Sequence, residues 1–163
     1  MIDNHQVRHY VKAMARPVKF IRRSLVLAAI LSLGLLASGA WAGAGADANA
    51  GNGGETLDLK SLLTPGKTTL IDFHSPYCPP CVQLAPLMEK LAAKRPDLAI
   101  KKVNINRPNV QGIDWRSPLA QQHNIRQVPF FMIFSPEGKL VAQGRDAFEQ
   151  VKRWLQEARV LEK

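Results

Sequence analysis

The chain has 163 residues and a formal net charge of +9, a length that holds one domain. The charge is unevenly spread: residues 1–42 carry six Lys/Arg and one Asp, leaving residues 43–163 with sixteen basic and twelve acidic groups, a net +4. Those cations are scattered rather than clustered with aromatics, which argues against a nucleic-acid partner.

The chain opens with the order of an export signal. Arg16, Lys19, Arg22 and Arg23 precede an apolar run from Leu25 to Ala37, broken by Ser32 and Gly34. Ala40-Trp41-Ala42 then fits the small-x-small rule for cleavage, with Gly43 as the first mature residue. Residues 1–42 are therefore expected to be a signal peptide and the protein periplasmic. The alternative is an uncleaved inner-membrane anchor over residues 24–44, facing the same compartment. Met14 is an alternative start that would leave a basic region of ordinary length. Arg22-Arg23 loosely resembles a twin-arginine signal, and no cysteine follows the apolar run to carry a lipid.

Residues 43–55 are rich in Gly, Ala and Asn and read as a flexible linker. The domain proper is expected over residues 56–163. Leu57, Leu59, Leu62 and Leu63 predict a short amphipathic helix ending at Pro65-Gly66, and Thr68 to Phe73 a buried strand. From Pro79 to Lys94, the spacing of Val82, Leu84, Ala85, Leu87, Met88 and Leu91 predicts a helix with one buried face. Its first turn tolerates Pro79 and Pro80, whereas Pro86 in its interior should kink it. Leu98 to Ile105 reads as a strand, Asn106 to Pro118 as a loop, and Leu119 to His123 as a short helix. Phe130 to Phe134 and Leu140 to Gln143 form a hairpin about Pro136-Glu137-Gly138-Lys139, and Ala147 to Val160 closes the chain as a helix. The order α-β-α-β-α-β-β-α predicts an α/β fold, a central mixed β-sheet flanked by helices on both faces.

The two cysteines are Cys78 and Cys81. A bond between them closes a loop of four residues, worth only about 2 kcal/mol of chain entropy. Such a bond is a poor staple and better suited to being made and broken. The pair follows a strand and opens a helix, where the macrodipole and unpaired N–H groups stabilise a thiolate. Cys78 is expected to be the exposed attacking sulfur and Cys81 the resolving thiol. A zinc site needs four ligands, and the mature chain adds only His74 and His123 to the cysteines. No metal and no cofactor beyond the redox-active disulfide is expected.

From about Leu57 onward the sequence resembles the thioredoxin family, and several offsets coincide. Asp72 stands six residues before Cys78, where that family keeps a buried carboxylate. Pro86 stands at the kinking proline of the active-site helix, and Lys102 at the lysine held near the carboxylate. Val128-Pro129 matches the segment carrying the family's cis-proline. The resemblance implies a thioredoxin fold with Cys78, Cys81 and Asp72 as catalytic residues. It implies that Val128, Pro129 and Tyr77 meet the substrate, and that Lys102 and Pro80 support the site. Buried, Asp72 should have a raised pKa and accept the Cys81 proton. A cis Pro129 would leave the Val128 backbone free to pair with an extended client.

The departures from the family pattern carry information too. His74 and Tyr77 replace tryptophans before the motif; His74 reads either as a group tuning the Cys78 thiolate or as an ordinary surface histidine. Phe130 replaces a small polar residue after Pro129 and should make the client face more apolar. Extra residues fall around Asn109 to Ser117 and include Trp115, a passive loop or a docking element. Strongly oxidising relatives carry a histidine between the cysteines, whereas Pro79 and Pro80 contribute no N–H donors. The expectation is a monomeric periplasmic disulfide reductase acting on protein thiol and disulfide clients. The resemblance implies apocytochrome haem-site cysteines among such clients and an inner-membrane thiol transporter as electron donor. The alternatives are a disulfide oxidase on the same fold, a Cu(I)-binding assembly factor using both cysteines, and a docking module whose cysteines stay oxidised.

Overall fold

A computed structural model describes residues 47–161, so the expectations placed on residues 1–42 lie outside it. Strand β1 (Thr68–His74) leads into helix α1 (Pro79–Lys94) and strand β2 (Leu98–Asn104). Helix α2 (Pro118–Gln122), strands β3 (Phe130–Phe134) and β4 (Leu140–Gln143) and helix α3 (Gly144–Glu157) follow. The sheet order is β2-β1-β3-β4, with β1 and β2 parallel and the other pairs antiparallel. This is the mixed sheet expected. The first helix is a single 3-10 turn, Leu59–Leu62, capped by the Asp58 carboxylate on the Lys60 N–H.

The strands are legible because β1 and β3 alternate between two apolar layers. Leu70, Phe131 and Ile133 face α1 and α3, where they pack with Met88, Leu91, Val151 and Trp154. Ile71, Phe73 and Met132 face the other way, against Leu59, Val103, Leu119 and Ile125. Side chains two apart on a strand share a face. Asp72 and His74 therefore belong with Leu70 on the α1 side. On β2, Leu98 and Ile100 join that same layer, which places Lys102 there as well; it is the register partner of Asp72. The hairpin turns as expected, with Gly138 at φ +80° and its N–H on the Ser135 carbonyl at 2.9 Å.

Helix α3 departs at both ends from the span expected. It starts at Gly144 and ends at Glu157 because Arg159 turns left-handed, φ +50°, and the Val160 N–H returns to the Leu155 carbonyl at 2.9 Å. That return is a helix stop that satisfies a terminal carbonyl. Ala147, rather than Phe148, fills the first buried position; Phe148 stacks at 6.0 Å on Phe131 instead.

Residues 47–55, expected as part of a flexible linker, are instead a run of turns strapped along the outer edge of β2. Asp47 bridges Lys102 in parallel, and the Ala48 N–H reaches the Lys102 carbonyl at 2.7 Å. The Asn49 amide then completes the pairing with side-chain atoms. Its Oδ1 accepts from the Asn104 N–H at 2.9 Å, and its Nδ2 donates to the Asn104 carbonyl at 2.8 Å. Gly54 ends the strap at φ +76°, donating to Asn104 and accepting from Leu119. A Cβ there would meet the Arg107 nitrogen at 2.6 Å, so both the backbone angle and the close approach require glycine. Composition hid this docking because the strap is held by polar pairing and not by apolar side chains. Among the described residues, no helix is long and apolar enough to cross a membrane.

Candidate functional site

The cysteines sit where a braced turn becomes a helix. The Cys78 N–H donates to the Ser75 carbonyl at 3.1 Å across Pro76-Tyr77, and the Tyr77 N–H donates to Ser75 Oγ at 3.1 Å. Ser75 is fully buried, so the turn is fixed from below. Cys78 is the N-cap of α1, with Pro79 and Pro80 as its first two helical residues. Neither proline has an N–H, and the first free amide, that of Cys81, points at Cys78 Sγ from 3.2 Å. The sulfurs are joined as the Cys78–Cys81 disulfide. Contrary to the expectation of an exposed attacking sulfur, Cys78 is only 2% exposed in this oxidised state, against 7% for Cys81. Its sulfur lies 3.6 Å from the Val128 carbonyl oxygen. The Val128–Pro129 peptide is cis, and this segment sits against the cysteines as its sequence position implied.

On the side of the sheet that faces α1 lies a small polar layer. Cys81, Met88 and Leu91 are the buried residues of α1. Met88 and Leu91 pack in the layer of Leu70, to which Asp72 also points. Asp72 is 4% exposed, and its Oδ1 has no hydrogen-bond partner. Burial pushes its carboxyl from 3.8 up to about 6, against the opposing charges of His74 and Lys102. Lys102 lies across the sheet register from Asp72, with its Nζ 3.8 Å from Asp47 Oδ1. His74 is not an ordinary surface histidine, since its Nε2 lies 2.7 Å from Asp47 Oδ1 and its side chain is largely covered. The hydrogen bond from His74 holds the Asp47 carboxyl below its usual range despite partial burial.

The remaining sequence candidates separate. Tyr77 is 43% exposed beside Cys78. Phe130 turns toward Phe73, 6.0 Å between ring centroids, and packs against the α2-side layer rather than forming an open apolar client face. His123 lies in that same layer, its ring 5.5 Å from Phe73, so the two histidines are on opposite sides of the sheet. Among the described residues, no group of three or more His, Cys, Asp or Glu side chains could hold a metal ion. The extra loop is braced internally. Arg107 clasps the buried Asp114 with Nε at 2.8 Å and Nη2 at 3.1 Å, while Trp115 stays partly exposed. Sequence reasoning missed Asp47 entirely, whereas the place of His74 was recoverable from its two-residue spacing to Asp72 on β1.

A disulfide at a strand-to-helix turn, a cis-proline segment against it and a buried carboxylate on the sheet face toward the same helix are the parts of a thiol–disulfide exchange site. Residues 58–157 match the family model described as thioredoxin, and the chain belongs to the thioredoxin family. A thioredoxin-like protein of Fusarium culmorum is 40% identical over 88 residues, which are 52% of this chain and 65% of that protein. A thioredoxin of Mycoplasmoides gallisepticum is 29% identical over 83 residues, 51% of this chain and 74% of that one. Among solved structures, the short form of spinach chloroplast thioredoxin f is 28% identical. It covers 62% of this chain and 82% of its own, with a TM-score of 0.44.

Proposed function

We propose that the protein is an exported protein-disulfide reductase that works through Cys78 and Cys81. The observation that carries this reading is the Cys78–Cys81 pair at the mouth of α1, with the buried Asp72, its Oδ1 without a hydrogen-bond partner, on the face of β1 that packs against α1. In the reduced protein the Cys78 thiolate attacks a client disulfide, forming a mixed disulfide and releasing the first client thiolate. Asp72 takes the proton of Cys81, directly or through water, and the Cys81 thiolate attacks Cys78 Sγ. The second client thiolate leaves, and the Cys78–Cys81 bond is formed. Two electrons have passed to the client, so each turnover requires a two-electron donor. The cis Val128–Pro129 segment offers its backbone to an extended client beside the cysteines.

The reducing direction rests on the donors around Cys78. A thiolate there meets one first-turn amide, that of Cys81, because Pro79 and Pro80 have none. Each charge-assisted bond withheld from a thiolate forgoes about 1.5–3 kcal/mol. At about 30 mV per 1.4 kcal/mol, one bond moves the pair well toward the reducing end of the family's range. The order of residues 16–42 supports export to the periplasm, with an inner-membrane thiol transporter as the donor and cysteines of envelope proteins or apocytochromes as clients.

Equilibrating the protein against glutathione and dithiothreitol buffers tests the direction. A potential of about −250 mV or lower supports the reductase, whereas one near the strong oxidases, about −120 mV, reverses the electron flow. Cys81→Ser should accumulate mixed disulfides with clients, and Cys78→Ala should abolish them. Fractionation of cells producing the full chain checks the compartment.

A further inference from the structure

The strap along β2 brings one acidic side chain into the layer that holds Asp72. Asp47 Oδ1 lies 2.7 Å from His74 Nε2 and 3.8 Å from Lys102 Nζ. Positive charge on either of those two, on His74 when protonated, favours the ionised form of Asp72. The groups facing Asp72 can be taken element by element. His74 comes from β1, Lys102 from β2 and Asp47 from the strap, while β3 presents the apolar Phe131. From α1 the buried face carries Cys81. Among the described residues, Asp47 is thus the negative charge set against Lys102 and a protonated His74 around a carboxyl that must be able to take up a proton.

The strap does not need this carboxylate to stay docked. The Ala48 N–H, the Asn49 amide and the Gly54 N–H already tie it to Lys102 and Asn104. An acidic group bound to both cations therefore has an electrostatic consequence beyond anchoring. We propose that Asp47 is a positioning residue of the exchange site, engaging His74 and Lys102 from the sheet edge so that Asp72 remains able to accept the Cys81 proton near neutral pH. This rests on the reading of Asp72 as that acceptor. The direction follows from charge alone: without Asp47, positive charge near Asp72 is less offset and its proton is lost at lower pH. A weaker base then takes the thiol proton less readily, and resolution of the mixed disulfide slows.

The test is a carboxyl-carbon NMR titration of the oxidised full-length chain labelled at aspartate, with Asp72→Asn to assign the Asp72 signal. In the parent protein, Asp72 should titrate near 6. In Asp47→Asn its midpoint should fall by about half a pH unit or more, an ordinary effect of one nearby charge in a partly buried site. Asp47→Glu, which keeps the charge, should stay within the parent's range. An unchanged midpoint in Asp47→Asn overturns the proposal, as does an equal fall in Asp47→Glu, which would trace the effect to loss of the strap rather than of the charge. A parent Asp72 that titrates in the ordinary carboxylate range overturns the acceptor reading itself, a result distinguishable from the other two.

Discussion

The two sides of β1 are made by alternate residues of one seven-residue strand, yet they differ in kind. Toward α2, Ile71 and Phe73 enter an apolar layer with Val103, Leu119, Ile125 and Met132, where burying their side chains stabilises the fold. Toward α1 the same strand begins with Leu70 in an apolar layer. It ends with Asp72 and His74 among the polar groups Lys102 and Asp47. One side stabilises the fold, while the other spends stability to hold a carboxyl out of water. The contrast implies that substitutions at Phe73 and at Asp72 should change stability in opposite directions.

The largest effect is expected on the apolar side. Phe73 is fully buried, between the rings of His123 and Phe130. Phe73→Ala should cost about 3–5 kcal/mol of stability, as large-to-small changes in cores do. Urea unfolding at pH 8 measures it. A loss below about 1 kcal/mol would mean that the layer closes around the missing ring.

Asp72→Asn should act in the opposite direction. The Asp72 carboxyl is raised from 3.8 to about 6, so between those values the folded protein binds a proton that the unfolded chain has already released. Stability therefore falls as pH rises through this window, by up to about 3 kcal/mol. The amide does not ionise, so the variant should be more stable than the parent at pH 8 and gain little at pH 4. Unfolding curves at the two pH values decide it, and an equal gain at both would remove ionisation as the cause. Mixed-disulfide resolution should meanwhile slow, separating what the residue costs the fold from what it does for the chemistry.

How much of this was legible in the sequence follows the same division. The apolar layers announce themselves through periodicity, so β1, α1, β3 and β4 fall where alternation and spacing place them. The cysteines, Asp72 and Pro129 are legible through their offsets. The polar side is legible only in part. Nothing in a Gly/Ala/Asn-rich run shows that Asn49 mimics a strand's backbone pairing or that Asp47 reaches His74, because those contacts join residues 27 apart or more. The burial of Cys78 also escapes a reading based on helix position. Its sulfur meets the Val128 carbonyl, brought from 50 residues away by the fold.

Tyr77 gives the smallest effect on stability and the sharpest separation of roles. Its backbone N–H is held by Ser75 Oγ whatever the side chain is, and its ring is substantially exposed beside the buried Cys78. Tyr77→Ala should therefore leave the turn in place and change stability by no more than about 0.5 kcal/mol, as surface substitutions do. If the ring is a platform on which clients rest, its loss should raise KM for a protein disulfide about fivefold or more, the usual consequence of truncating an anchoring aromatic. A small disulfide has no chain to lay across the ring, so its rate of reduction should not change. Parallel assays with insulin and with an aromatic small-molecule disulfide read the difference. Equal losses in both would place Tyr77 in the exchange chemistry at Cys78, and no loss in either would leave it a surface residue of the turn.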